Sequence, residues 1–163
     1  MYTLLSYSPT DGTCDSRLIS ETTLPATTTT EVSTTPRTCP PDFVTLNGGC
    51  YKYHQEKKTW MEAKTTCESE SDHLVALTSL QEQNQIAIAI YGIRGAGVTF
   101  HGGGNDMDSD GIWEWPDGQP FDFSYWEGAV PTGGCLVVPV YPGKWTTGNC
   151  ASDMREFMCE IDM

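Results

Sequence analysis

Basic side chains are scarce in this sequence: nine Lys and Arg stand against 22 Asp and Glu, for a formal net charge of -13. Nucleic acid and anionic membrane both need cations gathered on one surface, so neither is an expected partner. Long apolar runs are missing too. The longest nearly unbroken one, IAIAIYGI, falls far short of the roughly 20 residues of a membrane-spanning helix. The opening residues, MYTLLSYSPTDGT, show no charged start followed by an apolar stretch, so no signal peptide is expected in them. No N-x-S/T sequon occurs, and N-glycosylation is not expected. No two cysteines form a C-x-x-C pair, and His54, His73 and His101 are scattered, which speaks against structural zinc. Also lacking are a G-x-S-x-G elbow, carboxylates paired over an evident pocket, and a free cysteine with a histidine partner in the globular part. The expectation is a protein that is not an enzyme.

Cysteine itself is plentiful, with seven residues at 14, 39, 50, 67, 135, 150 and 159. Their spacing suits disulfides, and disulfides imply an oxidising compartment, so a secreted or extracellular chain is expected. Composition divides the 163 residues into three parts. Residues 1–20 form an N-terminal segment holding Cys14. Residues 21–38 contain nine threonines and two prolines with almost nothing to bury, so packing cannot offset their chain entropy. This part reads as a linker, either a bare tether or a mucin-like stalk O-glycosylated at Thr27, Thr28, Thr29, Thr30, Thr34 and Thr35. Residues 39–163 read as one globular domain.

Within that domain TWMEAKTTC predicts a helix. Thr59 and Glu62 make a capping box, and Trp60, Ala63 and Cys67 fall on one face. SLQEQNQIAIAIYG repeats the device with Ser79 and Glu82, although its alternating isoleucines leave a strand reading open around Ile86 to Ile90. Glycine-rich loops and the short strands IWEW, CLVVPV and REFMCE follow. Two helices ahead of a loop-rich β half predict an α+β domain stapled by disulfides. Among six domain cysteines fifteen pairings are open.

Several motifs occur in order: CPPDFVTLNGGCY, W-x-x-A-x-x-x-C as WMEAKTTC, IWEWPDG, a spaced C…W…C in CLVVPVYPGKWTTGNC, and a terminal FMCE. Together they resemble the long form of the C-type lectin-like domain, from Cys39 to about Ile161. The resemblance implies the pairs Cys39–Cys50, Cys67–Cys159 and Cys135–Cys150. It implies two helices with antiparallel sheets and a long loop region, and it makes Trp60, Trp113, Trp115 and Trp145 core residues. On a strand, Trp113 and Trp115 share a face while Glu114 points away. Cys14 is left over, and an odd cysteine in a secreted chain suggests a disulfide-linked homodimer or a free thiol.

In sugar-binding members of that family a Glu-Pro-Asn or Gln-Pro-Asp triplet and a Trp-Asn-Asp triplet hold a calcium ion that the sugar also coordinates. The matching positions here are Val130, Pro131 and Thr132, and Trp145, Thr146 and Thr147. Pro131 matches the family's proline, typically cis. Calcium takes roughly six to eight oxygens with carboxylates to neutralise it, yet no Asp or Glu occurs from Gly128 to Asn149. The usual calcium–sugar site is therefore expected to be absent. A neutral-to-polar rim of Thr132, Tyr141, Lys144, Thr146, Thr147 and Asn149, beside Val130 and Pro131, is left as the candidate surface for a glycan or protein; the plain alternative is ordinary solvated loop.

NDMDSDG, residues 105–111, spaces its aspartates as a helix–loop–helix calcium loop does, with Asp117 at the closing position. If IWEW is a strand, Asp117 lies on the order of 20 Å from Gly111 and cannot close the loop. What is left is either a solvated acidic hairpin loop or a partial, weak calcium site of Asn105, Asp106, Asp108 and Asp110 with His101 nearby; no other cofactor is expected. Three functions stay open: an extracellular recognition module binding without the usual calcium site, a matrix or fibre component assembling through the domain and Cys14, and a calcium-dependent lectin with a relocated acidic site.

Overall fold

The computed structural model describes residues 6–7, 14–15 and 38–163. In the first of two units, 1–35, strands β1 (Ser6–Tyr7) and β2 (Cys14–Asp15) pair antiparallel. The Cys14 side chain and the six threonines proposed for glycosylation lie outside the described residues.

In the second unit, 36–163, the chain runs β3 (Val44–Leu46), β4 (Gly49–Lys58), α1 (Trp60–Glu70), β5 (His73–Leu74), α2 (Leu80–Arg94), β6 (Thr99–Asp106), β7 (Gly134–Pro139), β8 (Thr146–Gly148) and β9 (Arg155–Ile161). These strands form one sheet in the order β3-β4-β9-β6-β7-β8, with β5 also on β9. Every pairing is antiparallel except β6 with β9. The α+β class read from the sequence holds, and so do the three disulfides implied by the resemblance: Cys39–Cys50, Cys67–Cys159 and Cys135–Cys150.

Helix α1 begins on the expected capping box, with Thr59 and Glu62 each satisfying the other's backbone N–H. Its Trp60, Ala63 and Cys67 are buried, and the Trp60 indole N–H donates to the Gly102 carbonyl at 2.8 Å. Here β6 runs through three glycines. A Cβ on Gly103 would sit 2.6 Å from the Leu74 carbonyl oxygen, so only glycine allows this approach.

Helix α2 bears out the helical reading and departs from it at the cap. Its alternating isoleucines stay helical to Arg94: Ile86 and Ile90 are buried, while Ile88 is 72% exposed. The second capping box is only half made. Ser79 accepts the Glu82 N–H, but the Glu82 carboxylate turns inward, accepting the Tyr51 hydroxyl at 2.7 Å and the Thr78 N–H and hydroxyl at 2.9 Å. A buried phenol competes better for that carboxylate than a half-buried N-cap does.

IWEW makes a single bridge, Glu114 to Asn105, in place of the expected strand. Trp113 and Trp115 are nonetheless buried with Glu114 exposed between them. They pack with Phe121, Trp126 and Trp145, whose rings meet at centroid distances of 4.5 to 6.1 Å. Trp60 belongs instead to a second cluster with Leu74, Phe157 and the Cys67–Cys159 bridge.

Beside Glu82, the Glu160 carboxylate is 8% exposed and accepts the Ala76 N–H at 3.0 Å. Burial pushes its pKa up to about 7, the Ala76 bond opposing and the Glu82 charge adding to the rise. A raised carboxyl favours the protonated fold. Its contribution is thus complete below the ordinary value of 4.5 and is lost as pH rises through about 7. Glu160→Gln keeps an acceptor for Ala76 and cannot ionise. Between pH 4.5 and about 8 the variant should gain on the order of 2–3 kcal/mol on the wild type, read by urea denaturation in chelator. A pH-independent difference between the two refutes the assignment.

Candidate functional site

The connection from β6 to β7 and the start of β8 carry the residues aligned with the family's ligand triplets. Two hydrogen bonds hang the Val130-Pro131-Thr132 turn on the domain. The Trp113 indole N–H donates to the Pro131 carbonyl at 2.9 Å, and the Gly133 N–H donates to Asp106 Oδ2 at 2.7 Å. The turn is thus built by a tryptophan and a buried aspartate. The expected cis bond before Pro131 is not found; the cis peptide among the described residues is Tyr141–Pro142.

Against a calcium ion this donor set fails. Val130 has no side-chain oxygen, the Pro131 carbonyl already accepts an indole N–H, and Thr132, Thr146 and Thr147 offer only neutral hydroxyls. Asp106, whose carboxylate reaches the turn, is 2% exposed, and its Oδ2 accepts the N–H groups of Gly111 and Gly133. Among the described residues, no cluster of three His, Cys, Asp or Glu side chains able to hold an ion draws on residues 128–149. The triplet positions do not fit the family's calcium.

The rim residues do not converge on one point. Thr146 and Thr147 lie on β8, the edge strand, opposite Val137 and Leu136 of β7. Lys144 places its ammonium 5.3 Å from the Tyr125 ring centroid, a cation–π contact that anchors it. Asn149 is drawn into structure: its Oδ1 accepts the N–H groups of Ala151 and Ser152, and its own N–H donates to Asp153. Tyr141, 74% exposed, borders a groove of about 450 Å³ between the 140–143 turn and α2. Gln83 holds that turn, donating to the Gly143 carbonyl at 2.6 Å while accepting the Trp145 indole N–H at 2.7 Å. Val130 lines a separate hollow of about 320 Å³ with Ile112, Trp113 and Phe121.

Sequence reasoning missed the helix side of the Tyr141 groove, namely Asn84, Ile88 and Tyr91. The available signal was an apolar surplus. Ile86 and Ile90 suffice for the buried stripe of α2, so Ile88 and Tyr91 must face outward.

The aspartate turn is not the fully solvated hairpin loop of the plainer expectation. Asp106 is the last residue of β6 and buried, and its Oδ1 has no hydrogen-bond partner. Asp108 and Asp110 are exposed, and ligating oxygens of the three lie within 4.8 Å of one another. Asn105 is held elsewhere, pairing its backbone with Glu114. His101, expected nearby, is buried with Nε2 between the carbonyls of Lys58 (3.2 Å) and Asp153 (3.1 Å). Burial holds its pKa below the ordinary value. Asp117 does not join the turn; its carboxylate lies with His73 and Asp162.

The sequence profile of the lectin C-type domain matches residues 56–161. Human C-type lectin domain family 17, member A is 35% identical over 94 residues, covering 58% of this chain and 24% of that protein. A C-type lectin of the snake Micrurus corallinus is 30% identical over 131 residues, covering 75% of this chain and 82% of that protein. Among solved structures, the mouse scavenger receptor C-type lectin carbohydrate-recognition domain superposes with a TM-score of 0.66 at 30% identity, over 76% of this chain and 96% of that one.

Proposed function

This chain belongs to the lectin C-type domain family, and we propose that it is an extracellular recognition module that binds a glycan or protein without the family's calcium–sugar coordination. The observation that carries the reading is the donor set at residues 130–132 and 145–147, which supplies no carboxylate. Three disulfides support an oxidising compartment. The candidate contact surface is the exposed Tyr141 with Ile88 and Tyr91 of α2, beside Lys144. The test is a glycan array probed with calcium and with chelator, with Tyr141→Ala as a third arm. Binding should persist in chelator, and Tyr141→Ala should weaken it about tenfold, the effect of losing one exposed aromatic anchor.

One observation favours a second reading, a calcium-dependent lectin with a relocated acidic site: the unpartnered, buried Asp106 Oδ1 faces a turn with two further carboxylates. Three protein carboxylates with water completing the shell make a weak site. On this reading millimolar calcium raises the melting temperature by a few degrees and Asp108→Asn removes the rise. No rise in the wild type eliminates it.

A further inference from the structure

Three groups among the described residues bring three ligating side chains within 4.8 Å of one another. His54, Glu70 and Cys159 are not a metal site, because the Cys159 sulfur is bonded to Cys67. The aspartate turn belongs to the calcium reading above. The third group, His73, Asp117 and Asp162, shares no residue with that turn or with the 130–149 rim, and it mixes one imidazole with two carboxylates.

We propose that His73 Nε2 and the carboxylates of Asp117 and Asp162 form a binding site for a divalent transition-metal ion of the zinc type. His73 is 5% exposed. Its Nδ1 lies 2.9 Å from its neighbour Leu74's carbonyl oxygen, where an Nδ1–H donates. In the neutral ring a proton on Nδ1 in that bond leaves Nε2 its lone pair, the arrangement that orients a metal-bound histidine. Nε2 is itself buried and has no hydrogen-bond partner. An orphaned buried nitrogen is costly in a native fold and asks for a ligand. Asp162 Oδ2 is 3.3 Å from Nε2, at ion-pair distance. Two atoms bound tetrahedrally to one zinc at roughly 2.0–2.1 Å lie about 3.4 Å apart, so this pair already stands at ligand spacing.

The two carboxylates are held from behind. Asp117 Oδ1 accepts the Gln119 N–H at 2.9 Å, leaving its second oxygen for an ion. The Asp162 N–H donates to Asp72 Oδ2 at 3.0 Å, fixing the main chain just past β9. Two carboxylates neutralise a divalent charge, and the imidazole shifts preference from calcium and magnesium toward zinc and its neighbours. Three protein ligands leave a fourth position for water. The ion would tie β5, the loop after Trp115 and the end of β9 together.

The test is thermal unfolding of the full chain, stripped with chelator and then titrated with zinc or with calcium. Zinc at a hundredfold excess over its Kd should raise the melting temperature by about 5 °C or more, and chelator should reverse it. Asp162→Asn and Asp117→Asn, at partly or fully exposed positions, should melt like the stripped wild type and need at least about tenfold more zinc for the same shift. His73→Gln should abolish the shift; if it fails to fold, the two carboxylate variants decide. No zinc shift in the wild type overturns the site. So does a shift that both carboxylate variants keep, or an equal calcium shift that Asp162→Asn removes.

Discussion

Removing the Cys67–Cys159 bridge, as Cys67→Ala with Cys159→Ala, should destabilise the domain by about 4–5 kcal/mol on the chain-entropy account. The bridge closes a separation of 92 residues, against 15 for Cys135–Cys150 and 11 for Cys39–Cys50. The same account gives about 3 kcal/mol for each of the shorter two. Position adds to loop length. Both sulfurs are fully buried beside Trp60, Leu74 and Phe157, so their loss also opens a void between α1 and β9. Reductant-free urea denaturation of the three double variants checks the order. A smaller cost for the Cys67–Cys159 pair than for Cys39–Cys50 would contradict it.

Trp145→Ala should cost about 4–5 kcal/mol, at the upper end for buried aromatics. The ring is 1% exposed and packs edge-on against Trp115, Phe121, Phe123 and Trp126. Its indole N–H also satisfies Gln83 Oε1 at 2.7 Å, while the amide of Gln83 holds Gly143. Trp145→Phe keeps much of the ring and should still cost about 2 kcal/mol or more, since Gln83 Oε1 is left buried and unpaired. A double-mutant cycle with Gln83→Leu should return a coupling of about 1–2 kcal/mol; additivity would mean that this bond does not stabilise the fold. The pair links fold to function, because Gln83 and Trp145 carry the 141–147 segment on which Tyr141 and Lys144 stand. Trp145→Phe should therefore weaken ligand binding even where the domain remains folded.

The fold was legible where local chemistry and burial agree. Thr59 and Glu62 cap α1, and Trp60, Ala63 and Cys67 mark its inner face. Elsewhere tertiary partners overrode the local pattern. Glu82 left its box for Tyr51, a residue 31 positions away. The ten-residue β4, GCYKYHQEKK, lacks the apolar alternation that marks a strand locally. Its polar half is stabilised by partners on other elements: His54 stacks on Phe157, and Lys52 pairs with Glu70 at 2.8 Å.

The site was legible in the negative. Valine and threonine at the triplet positions state their lack of carboxylates in any fold, and the absence of acids from 128 to 149 is a property of the sequence. Its positive features need three dimensions. That Trp113 clasps Pro131 and that α2 supplies half of the Tyr141 groove follow from contacts across 18 to 60 residues. The grouping of His73, Asp117 and Asp162 is of the same kind, since only the β5–β9 pairing and the loop after Trp115 bring them together.

The most direct measurement is the ratio of glycan-array signals in millimolar calcium and in chelator for the same protein. With no carboxylate at Val130, Thr132, Thr146 or Thr147, bound glycans should give a ratio near one. Binding that requires calcium and vanishes in chelator would contradict a recognition surface built without the metal.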